Sequence, residues 1–159
     1  MIRVDPRLIA LKLVLDALNV PTKPESLRAR TKIQKAVYLA QSAGAPLGYD
    51  FGWYVKGPYS TSLTQDYYAL SREDDGAEGY RLDDQVQSSL SKLGKPAEVP
   101  VGIKLSDAEW LELLASVHFL RKVSRKDEAA ALEILRKQKP RLVEYARAAE
   151  GKLQEMSLL

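Results

Sequence analysis

Few residue types in this chain can do covalent or metal chemistry. Its 159 residues include no cysteine and a single histidine, His118. A thiolate nucleophile, a disulfide framework, a cysteine-ligated zinc and a histidine-rich metal site are therefore excluded. Serine-histidine-aspartate catalysis would have to run through His118, which would need an orienting carboxylate and a nucleophile beside it. No G-x-S-x-G or other local nucleophile pattern occurs. His118 follows Leu114 by four residues and precedes Lys122 by one turn. At that edge of an apolar helix face it reads as a half-buried, hydrogen-bonded structural histidine. Glu73-Asp74-Asp75-Gly76 invites a calcium loop, but aligning Gly76 on the loop's glycine puts Leu82 where calcium needs a bidentate carboxylate. The spacings of the phosphate-binding glycine loops are absent too. These residues predict neither enzyme, metal nor cofactor.

Two other groupings carry more weight. Seven of the twelve aromatic residues fall between Tyr49 and Tyr68, and aromatics flanked by Lys or Arg supply large rigid contact area with a polar tip. That cluster is either a satellite of the core or an interaction surface. Basic residues gather at Lys23 to Lys35, at Arg121 to Lys126 and at Arg136 to Arg141. Converging, they could bind nucleic acid; kept apart, they close helices where cations offset the macrodipole. The net charge of +3 decides nothing between these. It sums the basic clusters and an acidic surface stretch from Ser71 to Asp84.

Helices must position all of this. Leu8, Leu11, Leu15 and Leu18 recur at helical steps over Arg7 to Val20, with Pro21 and Pro24 as the stop. A second helix starts from the N-cap Ser26 and runs to Gly44, with Arg28, Arg30, Lys32 and Lys35 in its first half. Phe51, Trp53 and Val55 alternate as one strand face, and Gly57-Pro58 turns the chain into a helix over Ser60 to Leu70. Gly79 to Leu82 is the expected antiparallel partner strand. Further helices are expected over Gln85 to Leu93, after the Ser106/Glu109 capping box, after Ser124 and Asp127, and a last one that Pro140 starts or precedes. No repeat or long linker divides the chain, so residues 1–159 read as one mainly α domain of six or seven helices with a small two-stranded antiparallel element. Arg3, Asp5, Arg7, Lys12 and Asp16 interrupt the opening apolar stretch, which predicts neither leader nor membrane span and a cytoplasmic protein.

Lys32-Ile33-Gln34-Lys35-Ala36-Val37-Tyr38-Leu39-Ala40, then Phe51-Gly52-Trp53-Tyr54-Val55-Lys56-Gly57-Pro58-Tyr59-Ser60 and Leu63-Thr64-Gln65-Asp66, form a pattern. A lysine-rich helix ending in Tyr-Leu-Ala precedes an aromatic W-x-x-x-G-P turn and another helix. In this the chain resembles the Panacea or SocA-like bacterial antitoxin domain, and more closely the YwgA-like bacterial proteins. Trp110 to Leu120 is also similar to the YwgA-like group. The resemblance implies a compact helical binding domain without catalysis, whose antitoxin branch neutralises partner toxins by direct contact. Tyr59-Ser60 departs from the Val usual there, and the C-terminal half diverges. The expected function is a protein-interaction module, an antitoxin or phage-defence accessory protein, with nucleic acid as the alternative partner. Lys32, Lys35, Trp53, Tyr54, Lys56 and Tyr59 are the expected partner-binding residues, and Gly57, Pro58, Ser60 and Asp66 the structural ones.

Overall fold

The apolar residues of two helices recur on every side rather than in one stripe, and such helices belong in the middle of a fold. In the computed structural model, which describes residues 5–72 and 78–159, these are α2 (Leu27–Ser42) and α5 (Asp107–His118). Every residue from Ile33 to Ala40 and from Trp110 to His118 is buried. The two helices pack on each other, with α1 (Pro6–Ala17) against α2 and with α7 (Ala146–Glu155) against α5. The shell is completed by α3 (Thr61–Ser71), α4 (Asp84–Ser91) and α6 (Glu128–Gln138). The fold is mainly α, as the periodicity predicts, with one two-stranded antiparallel sheet. No helix among the described residues is long and apolar enough to cross a membrane.

Local chemistry explains most boundaries. Ser26, Ser60, Asp83, Ser106 and Asp127 are N-caps whose side chains accept a backbone N–H of the first turn. Ser106 and Glu109 close the expected capping box. Asp127 alone caps α6, because Ser124 ends a π-helical turn over Phe119–Val123. The first helix ends at Ala17 and not at the prolines. Asn19 takes a left-handed φ of 59°, and the Val20 N–H donates to the Leu15 carbonyl, a Schellman closure that needs no proline. Pro140 starts no helix: a 3-10 turn over Val143–Tyr145 leads into α7.

The sheet differs from the expected one. Its strands are β1 (Gly52–Tyr54) and β2 (Gly57–Tyr59), with Trp53 opposite Pro58. Gly79 to Leu82 is not a strand, and no helix is inserted. Val55 and Lys56 form a two-residue turn, and Gly57 at φ 88° supplies its left-handed residue, so the chain returns at once. Pro58, which has no N–H to offer, is tolerated because no further strand lies beside it. Val55 leaves the strand alternation and stands 91% exposed at the tip. Within the acidic stretch, residues 73–77 lie outside the described residues, while Glu78, Asp83 and Asp84 are exposed.

Gly57 is required twice, by its φ and by space: a Cβ there would collide with the Ser116 hydroxyl on α5. Gly57→Ala should lower unfolding free energy by about 2 kcal/mol or more, read by urea denaturation. A loss under about 0.5 kcal/mol would show that the hairpin is not pinned at this point.

Candidate functional site

Because α2 from Ile33 to Ala40 and α5 from Trp110 to His118 are buried all round, the polar side chains there point into the interior and need partners. On α2, Gln34 and Gln41 lie two turns apart on one face. The Gln34 amide donates to the Ser60 carbonyl (2.9 Å) and to Thr64 Oγ1 (3.0 Å), and its oxygen accepts the Ser60 N–H (2.9 Å). Gln41 treats Tyr49 the same way, donating to its carbonyl (2.9 Å) and accepting its N–H (2.8 Å). Each amide mimics a strand neighbour. Together they hold the backbone just before and just after the hairpin.

Two lysines hold the hairpin itself. Lys35 Nζ donates to the Pro58 carbonyl at 2.6 Å. Lys139 Nζ donates to the Val55 carbonyl at 2.8 Å and to Glu112 Oε2 of α5 at 2.9 Å. Lys139 ends α6 because it precedes Pro140, whose ring disfavours a helical residue before it. Its backbone leaves the helical region (φ −137°, ψ 58°), and its ammonium lies inward, at the Trp53 ring (5.7 Å to the centroid). The Trp53 indole N–H donates to Gln138 Oε1 at 2.9 Å. Burial pulls the Lys35 ammonium down to about 7. The Glu112 carboxylate resists the fall, and the charges of Lys139 and Lys56 deepen it. The Ser116 hydroxyl and the Trp110 indole N–H are buried without a hydrogen-bond partner among the described residues.

The expected partner-binding residues therefore separate. Tyr54 and Lys56 are exposed at the tip beside Val55. Tyr59 is partly buried, its hydroxyl paired with Thr64 and its ring edge-on to Tyr54 at 5.3 Å. Trp53 lies inward against Phe119 at 5.6 Å. Trp53 and Tyr54 thus face opposite ways, as a strand requires. Lys35 is only 1% exposed and holds the hairpin from behind, which places it out of a partner's reach. Lys32 is turned away to Asp107 at 2.9 Å, which Arg28 also pairs. Among the structural residues, Ser60 caps α3 and Asp66 accepts the Tyr49 hydroxyl at 2.7 Å.

His118 is buried more deeply than the sequence suggests. It bonds the Tyr38 hydroxyl through Nδ1 at 2.7 Å. Burial, with Lys122 nearby, lowers it to about 4, so it is neutral at pH 7. Each of the three basic clusters has cations paired with carboxylates: Arg28 and Lys32 with Asp107, Arg121 with Glu150, and Arg136 and Lys137 with Glu133 and Arg141 with Glu109.

Gln34, Gln41, Glu112 and Lys139 are site residues that composition and motif reading pass over. The one available signal was the seven-residue spacing of the two glutamines, which straddles the apolar run of α2. Beside the tip lies a cleft of about 290 Å³ between Val55-Lys56 and Gln138 to Leu142. An apolar cleft of about 360 Å³ between α1 and the segment of Tyr80 to Val86 has no buried charged or amide side chain in its lining. Compared with models of known protein families, with curated proteins and with solved structures, the chain matches none.

The pairing of Lys139 with Glu112 has a measurable sign. Lys139→Met leaves a carboxylate buried without its cation and should cost about 3 to 5 kcal/mol. Adding Glu112→Leu should recover more than half of it; additive losses in a double-mutant cycle would mean that the two are not coupled. Lys35 gives a pH signature. Its unfolded value is near 10.5 and its folded value about 7, so between them the unfolded chain holds the extra proton. The cost of burying the charge applies in full below about pH 7 and is relieved as pH rises. Relative to Lys35→Met, the wild-type protein should therefore gain stability from pH 7 to 9, and parallel stability curves would contradict this.

Proposed function

We propose that the protein is a non-enzymatic interaction module that presents the hairpin tip to a protein partner. The observation that supports this best is the pair of large side chains, Tyr54 and Val55, 51% and 91% exposed on a turn whose base is fastened from within. Apolar and aromatic area held outward on a fixed support is what protein contacts use. Lys56 adds a charge at the same point. A contact reading also suits the one histidine, whose ring is engaged by the Tyr38 hydroxyl and has no carboxylate among its hydrogen-bond partners in the described residues.

The resemblance to the Panacea or SocA-like antitoxins makes the proposed partner a toxin, or a component of phage defence that the module restrains by direct contact. In such a pairing the binding surface is the tip with Tyr54, Val55 and Lys56, flanked by Tyr59. The lysine-rich face of α2 is a support, since Lys35 and Lys32 are turned to the hairpin and to Asp107.

Affinity capture from a cell extract tests the reading. A partner retained by the wild-type chain should be lost, at least tenfold, with Tyr54→Ala, while urea denaturation shows that this exposed substitution leaves stability within about 0.5 kcal/mol. Equal retention by folded Tyr54→Ala and Tyr59→Ala variants would remove the tip from the contact.

A further inference from the structure

The cleft beside the tip has a charge balance that its neighbours do not complete. It is lined by Lys56, Lys139 and Arg141 on one side of the account and by Glu109 and Glu112 on the other. Glu109 is committed twice, to the Ser106 N–H of the capping box at 3.0 Å and to Arg141 at 2.7 Å. Glu112 accepts from Lys139 and also faces Lys35 behind the cleft. Lys56 is exposed and forms no ion pair among the described residues. Lys139 is 5% exposed, and its two hydrogen bonds leave one ammonium N–H unused among the described residues. The lining therefore ends with one positive charge in excess, at the place where Val55 and Tyr54 offer apolar area.

We propose that this cleft accepts one carboxylate of an acidic segment of the partner protein, held between Lys56 and the free N–H of Lys139, with the segment's apolar neighbours on Val55 and Tyr54. This rests on the tip being the contact surface and adds the chemistry of what it contacts. The volume suits one or two side chains, not a folded element. The sign and size of the charge favour a carboxylate over a nucleic-acid backbone. A monoanion balances the single excess cation, whereas a run of phosphates would bring further charge against Glu109 and Glu112. Lys139, already desolvated and held by two bonds, gains a third acceptor without further ordering.

The test is fluorescence anisotropy at low salt with three labelled probes: hexaglutamate, hexaglutamine and a twelve-residue oligothymidylate. Hexaglutamate should bind at least tenfold more tightly than hexaglutamine and than the oligonucleotide. Lys56→Glu should weaken hexaglutamate at least tenfold. Lys92→Glu makes the same charge change at an exposed site elsewhere and should weaken it less than twofold. The proposal is overturned by no hexaglutamate binding, by equal loss in the two variants, or by an oligonucleotide that binds more tightly and responds to Lys56→Glu. If any of these occurs while the captured partner still depends on Tyr54, only the acidic chemistry falls. If the partner ignores Tyr54, the contact surface itself falls.

Discussion

A two-stranded ribbon laid against helices has an unsolved hydrogen-bonding problem: each strand has one edge with no neighbour, and here Gly57 and Pro58 of β2 are buried while β1 is half-buried to exposed. A carbonyl removed from water without a donor costs more than an average hydrogen bond gains. The sequence answers with side chains from the helices instead of a third strand. Gln34 and Gln41 stand in for strand backbone at Ser60 and Tyr49, and Lys35 and Lys139 cover Pro58 and Val55. Much else follows from this. The buried polar residues of the two central helices, the glycine at the close approach to Ser116, and the bend at Lys139 all serve the same hairpin.

The solution has its own cost, because two ammonium groups enter the interior with one carboxylate, Glu112, near both. Such a cluster is poor at stabilising a fold compared with apolar packing of the same volume. What it supplies is direction. An ammonium at the end of a four-carbon stem can reach a carbonyl that no backbone N–H approaches, and Lys139 reaches Val55 from α6 while Lys35 reaches Pro58 from α2. The hairpin is fixed from two helices far apart in the chain, so its angle is set by the tertiary fold more than by its own six strand residues.

The helices were legible because their signals are local: leucines at helical spacing, Ser26 and Ser106 as caps, Gly44 past the end of α2. The first helix's end was not, since Asn19 in a left-handed turn looks like any polar residue before a proline. The hairpin was misread for a similar reason. Gly57-Pro58 serves equally as a turn or as the start of a returning strand, and only the pairing of Trp53 with Pro58 decides. The site was half legible. Aromatic density marked Trp53, Tyr54 and Tyr59, but whether a lysine points outward or inward is a tertiary fact. Lys35 and Lys56 look alike in sequence, and one is buried while the other stands at the tip. Lys139 looked like a helix-closing cation until Pro140 turned it inward.

The two glutamine clamps have a kinetic meaning. A loop held only by its turn must be ordered when a partner arrives, and that ordering slows productive encounters and weakens the complex. With Tyr49 and Ser60 fastened to the central helix, releasing the tip means breaking the hydrogen bonds of Gln34 and Gln41. Under the proposed contact, a partner would meet Tyr54 and Val55 already held in the conformation it binds. For such a partner, encounter would be governed by diffusion and by the field around Lys56, and the lifetime of the complex by the fit of the two surfaces.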